Sequence, residues 1–190
     1  MSGTEIQRVA ELAELVVEQC RSDPSKAQRT AEAAVALAER TGDPASRALA
    51  WRASGNVCHV TDRNREALDL YRKAAEIFFS LGREVEGART WSSQVMPLAL
   101  LGEPEQALAV ASQARDVFAR HGEVARLARL EINCGNIFHR LDRFSEALAC
   151  YDRAMAGINR EADPEALAAI LSNRATTLIT LSRFAEALSC

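Results

Sequence analysis

The most reactive side chains in this 190-residue chain are five cysteines and three histidines, and two groupings stand close together: Cys58-His59, and Cys134 with His139. A thiolate activated by an imidazole, or a shared metal ion, is the chemistry such groupings would supply. Their spacing suits neither. Adjacent residues on a helix point about 100° apart, and a separation of five places two ligands poorly for one ion. His121 stands at a helix end beside Gly122. No G-x-S-x-G, P-loop, G-x-G-x-x-G or H-E-x-x-H motif occurs. The expectation is a protein that is not an enzyme, with no catalytic residues, no metal and no cofactor. The cysteines are odd in number and share no C-x-x-C spacing. They read as reduced thiols packed as small hydrophobes in a cytoplasmic protein.

Charge narrows the partners. Only Lys26 and Lys73 of the 23 basic residues are lysines. That bias reflects either the gene's base composition or a use for bidentate donors. A net charge of −3, mixed in sign, argues against nucleic acid or a membrane surface as the general partner. The N-terminal stretch lacks the basic-then-apolar pattern of a signal peptide, and no apolar run approaches the ~20 residues of a membrane span.

The elements that must position these residues are helices. Thirty-five alanines against nine glycines favour helix throughout, and apolar residues follow the 3.6-residue period rather than alternating. Ala27, Ala67, Ala107, Ala147 and Ala187 recur every forty residues, four of them inside Glu/Gln-Ala-Leu. A fixed period of this size marks a repeat array. Asp23-Pro24, Asp43-Pro44 and Asp163-Pro164 read as N-caps followed by proline at the first helical position, with Glu103-Pro104 a weaker version. Gly42, Gly82, Gly102 and Gly122 stand where helices end in a left-handed residue. The breakers predict helices near 5–21, 24–41, 44–61, 64–81, 84–101, 104–120, 123–141, 144–160, 164–181 and from 184 onward. Pro97 predicts a kink or break between Ser93 and Pro97.

Paired helices with Trp51, Gly55, Ala67, Tyr71 and Ala74 resemble the tetratricopeptide repeat. The pattern recurs at Gly135, Ala147, Tyr151 and Ala154, and in part at Trp91, Ala107, Ala111 and Ala114. The forty-residue unit is longer than the usual 34. It is similar to the repeats of kinesin light chains and of multidomain bacterial regulators, including those joined to CHAT-type proteases. The resemblance implies an all-α, right-handed superhelical solenoid of antiparallel helix pairs. It would be a single array over 1–190 of about four and a half repeats, in units near 5–41, 44–81, 84–120, 123–160 and a truncated 164–190.

In such arrays the first helix of each unit lines a concave groove, and the register of the packing glycine selects its residues. Here the resemblance points to Arg52, Asn56, Arg89, Ser93, Arg129, Asn133, Asn136 and Asn173, with His59 and His139 one turn further along. Asparagine holds peptide amides and carbonyls at once, and arginine forks onto a carboxylate or phosphate. The opposing reading is that these side chains only bridge neighbouring helices. The implied function is a scaffold for a protein or peptide partner bearing acidic groups, as the N-terminal part of a larger protein. The alternative is the regulatory arm of a bacterial signalling protein whose effector domain lies outside this chain. No polar capping helix follows Leu188, so end-to-end self-association through the C-terminal edge is also expected.

Overall fold

The computed structural model describes residues 3–158 and 163–190, and every regular element among them is helical. The first helices are α1 (Gly3–Ser22), α2 (Pro24–Thr41), α3 (Pro44–Val60), α4 (Asn64–Ser80) and α5 (Glu84–Leu100). They are followed by α6 (Pro104–Arg120), α7 (Val124–Arg140), α8 (Phe144–Gly157), α9 (Pro164–Thr180) and α10 (Phe184–Leu188). The expected last turn of α8, at 159–160, lies outside the described residues. The chain forms two compact units, one ending at Val110 and the other beginning at Ala111.

The aspartates act as the sequence predicts. Asp23 Oδ1 accepts from the Lys26 amide at 2.9 Å, Asp43 Oδ2 from Ser46 at 2.7 Å, and Asp163 Oδ1 from Ala166 at 3.2 Å. Proline follows each of them at the first helical position. Gly42, Gly82, Gly102 and Gly122 all have positive φ, from 66° to 82°. Three further turns use a non-glycine residue in the same conformation: Asp62 (φ 60°), Asp142 (58°) and Ser182 (59°). Each closes its helix in one way, because the next amide bonds back to a carbonyl five residues earlier. Arg63 N reaches Cys58 O at 2.8 Å, Arg143 N reaches Phe138 O at 2.9 Å, and Arg183 N reaches Leu178 O at 2.8 Å. This is the αL closure that satisfies carbonyls otherwise stranded at a helix end.

Of the two expectations at Pro97, a kink or a break, the break does not occur. Helix α5 runs without interruption from Glu84 to Leu100 with Pro97 inside it. The proline ring is buried, and its own carbonyl still accepts from Leu101 N at 3.0 Å. The one amide bond that proline removes is therefore tolerated, because packing holds the turn on both sides.

The recurring alanine sits at the inner contact between helices. Ala27, Ala67, Ala107 and Ala147 have no exposed surface. A methyl group there lets helices approach closely, and buried aromatic rings fill space that remains. In the first unit Tyr71 and Phe78 are fully buried, and in the second Phe118 and Tyr151 are. At the far end the burial fails: Phe184 is 59% exposed and Leu188 89%.

Candidate functional site

In the first unit, α1, α3 and α5 enclose a cleft of about 380 Å³. All five residues anticipated for this part of the chain line it: Arg52, Asn56 and His59 from α3, and Arg89 and Ser93 from α5. Helical spacing places them there, since 52, 56 and 59 share one face of α3, as 89 and 93 do on α5. The floor is apolar, with Ala13, Val17, Leu49 and Ala53 contributing. Several of the polar groups are held by neighbours. Asn56 Oδ1 accepts from Tyr71 OH at 2.8 Å, which leaves the amide's NH2 end for another acceptor. His59 Nδ1 lies 2.8 Å from Asn64 Oδ1, and Ser93 Oγ donates to Arg89 O at 3.2 Å. The Arg52 guanidinium lies over the Phe78 ring at 5.6 Å.

Sequence reasoning missed the wall that α1 provides, including Cys20 and Arg21. The reason is register. Leu15 stands where a forty-residue step from Gly55 would put the packing glycine, so α1 carried no mark by which its inward face could be assigned.

The second unit repeats the tyrosine–asparagine contact and adds bonds from α7 to α9. Arg129 turns both Nε (3.1 Å) and Nη2 onto Oδ2 of Asp163, the aspartate that also caps α9. Asn136 Oδ1 accepts from Tyr151 OH at 2.9 Å and from Asn173 Nδ2 at 2.8 Å. His139 Nδ1 is 2.9 Å from Thr177 Oγ1, and its ring meets Phe144 edge-on at 5.4 Å. Four of the five anticipated residues here therefore tie α7 to α8 or α9. Asn133 is half-exposed on α7.

The strongest charged cluster of the second unit was not anticipated. Glu131, only 2% exposed, lies between two arginines. Arg115 Nε donates to its Oε1 at 2.6 Å, while Arg153 donates to Oε2 from Nη2 at 2.8 Å and from Nε at 3.1 Å. Burial would push the Glu131 carboxyl up, but the two guanidinium groups outweigh it and hold the carboxyl below its usual range. The thiols beside this cluster move the other way. Burial pushes Cys134 up to about 11 and Cys150 up to about 12, so neither is a ready nucleophile. The signal was present in the repeat register. Glu131 stands forty residues after Trp91 and eighty after Trp51, so a charge replaces an aromatic at a core position.

Among the described residues no three metal-ligating side chains come together, and no described helix is long and apolar enough to cross a membrane. All five cysteines are free thiols.

The geometry is shared with known proteins. BtubC (BKLC) of P. vanneervenii superposes with a TM-score of 0.75 at 21% identity, over 96% of this chain and 78% of that one. Two crystal structures of a Podosopora anserina kinesin light chain with nearly identical TPR-like repeats cover all of this chain. One, a point variant, gives a TM-score of 0.73 at 14% identity over 92% of its own length, and the other gives 0.71 at 16% over 93%. No curated protein matches the sequence. The family model of the tetratricopeptide repeat matches residues 126–190. Those residues are therefore tetratricopeptide repeat, and the helix pairs that precede them carry the same fold.

Proposed function

We propose that this chain is a protein-interaction scaffold that takes an extended segment of a partner into the cleft of its first unit. The observation that carries this reading is the cleft itself. It gathers Arg52, Asn56, His59, Arg89 and Ser93 above an apolar floor in about 380 Å³. An apolar side chain of the partner packs on Ala13, Val17 and Leu49, and its peptide groups meet the NH2 end of Asn56. The arginines favour a carboxylate nearby. Five free thiols accord with a reducing, cytoplasmic setting.

The test is a selection of displayed peptides on the wild-type protein, read against the exposed-site variant Arg89→Ala and the double variant Arg52→Ala/Arg89→Ala. Selected peptides should lose about tenfold or more in affinity for the double variant, with binding that weakens as salt rises. Peptides that bind all three proteins equally would move the site elsewhere. The exposed Phe184 and Leu188 support self-association as a second contact, which Phe184→Glu should abolish in sedimentation experiments.

A further inference from the structure

The cleft of the first unit carries an order of charge along its length. Helix α3 touches both α1 and α5, and Ala13 and Ala53, forty residues apart, meet in one core cluster. The first helices therefore run side by side in the repeat register, and a residue's level along the cleft follows from its number. Arg89 stands forty residues after Leu49, about one turn before Arg52, so these two guanidinium groups share one end. Arg21 stands forty residues before Thr61, which is nine residues beyond Arg52, and marks the other end. Nine residues of helix span about 14 Å. Between the two ends lie Ala13, Ala53 and Val17, with Asn56 near mid-length. No aspartate or glutamate is among the described residues that line the cleft.

A cationic end, an apolar middle and a second cationic end match one pattern of ligand. An extended chain rises about 3.4 Å per residue and turns every second side chain to the same face. Four residues of such a chain cover about 14 Å, the span from Arg52 to the level of Arg21.

We infer that the partner enters as an extended segment with the pattern acid–x–apolar–x–acid, an inference that rests on the cleft being the partner's site. All three specified side chains then face the cleft. One acid accepts from Arg52 and Arg89, the apolar residue packs on Val17, and the other acid accepts from Arg21. Asn56, whose Oδ1 accepts from Tyr71, donates from its NH2 end to a peptide carbonyl of the segment. A guanidinium carries five N–H donors, so contacts made elsewhere in the fold do not use up its capacity. Spacing decides the match. Moving one acid by a single position turns it to the opposite face of the segment, away from the arginine.

The probe is a fluorescein-labelled peptide, Glu-Ser-Leu-Ser-Glu flanked by Gly-Ser, followed by fluorescence anisotropy. Saturable binding is expected, with a dissociation constant on the order of 0.1 mM. Peptides with the second glutamate one place nearer or one place farther should bind at least about fivefold more weakly. Replacing the leucine with serine should weaken binding about tenfold. Arg21→Gln, an exposed change that should leave helical circular dichroism unaltered, separates pattern from general attraction. It should weaken the two-acid probe about tenfold and leave Glu-Ser-Leu-Ser-Ser nearly unchanged, because a lone acid takes the end where two guanidinium groups meet. Absence of saturation would overturn the pattern. Equal binding of the shifted peptides would do so as well, as would an equal loss of both probes in Arg21→Gln. Displayed peptides that need Arg52 and Arg89 but lack the pattern would sink this inference and leave the cleft reading standing. Peptides indifferent to Arg52→Ala/Arg89→Ala would remove both.

Discussion

Tyr71 and Tyr151 each lay a ring across a glycine of the neighbouring helix, at Gly55 and Gly135. A methyl group on Gly55 would lie 2.5 Å from the Tyr71 ring, closer than any real contact, and Gly135 beneath Tyr151 is equally tight. Gly135→Ala must displace a fully buried ring that also donates to Asn136, so it should destabilise the protein by about 1–3 kcal/mol in urea titration. Gly157→Ala, where the nearest atoms lie at 3.4 Å, should cost almost nothing and serves as the control. Glu131 gives the second prediction at this scale. Its carboxyl is held below the usual value in the folded chain and returns to about 4.3 on unfolding. The stability it contributes is therefore complete above that unfolded value, and it is lost as pH falls through the lower folded value. Glu131→Gln should remove most of this acid dependence. It should also cost about 3–5 kcal/mol near neutral pH, because two guanidinium groups lose their counter-charge. Paired urea titrations at neutral and acid pH measure both effects.

The helices and their ends were largely legible, for a reason visible in particular turns. Asp23, Asp43 and Asp163 followed by proline leave only one local arrangement that satisfies the free amides, so the sequence alone identifies it. The left-handed turns were read only where glycine marks them. Asp62, Asp142 and Ser182 adopt the same φ without it, and nothing local distinguishes them from ordinary loop residues. They are held by the five-residue back-bond of the next amide, a property of the finished turn. A left-handed φ costs an ordinary L residue roughly 1–2 kcal/mol, and glycine's freer unfolded chain gives back about 0.4–1 kcal/mol of the gain. Ser182→Gly should therefore raise stability by about 0.5–1 kcal/mol, more than Asp142→Gly, since aspartate tolerates the conformation better. Gly102→Ala, at φ 82°, should lower it by about 1–2 kcal/mol. Thermal melts of the three variants order these effects. At Pro97 the local rule allows a kink or a break, and the break is prevented by burial of the ring within α5, which is a tertiary fact.

Across the whole chain, the forty-residue register positioned all ten anticipated residues on first helices but did not say which were available. Arg129 is committed to Asp163, an acceptor that enters from the start of the next helix pair. Availability depends on what the neighbouring repeat presents, and a repeat-by-repeat reading averages that away. The same logic governs stability. In an array each unit is stabilised mainly by its neighbours, so local damage should stay local. Hydrogen exchange on Gly135→Ala tests this. The amides of α7, α8 and α9 should exchange faster by about the measured loss of stability, because Tyr151 and Asn136 join those three helices. The amides of α1 to α3, whose core is built from Ala13, Val16, Ala27, Ala31, Ala53 and Val57, should keep their wild-type protection. Equal acceleration at both ends would show instead that the 190 residues unfold as one cooperative body, and each seam would then have to be weighed against the stability of the entire chain.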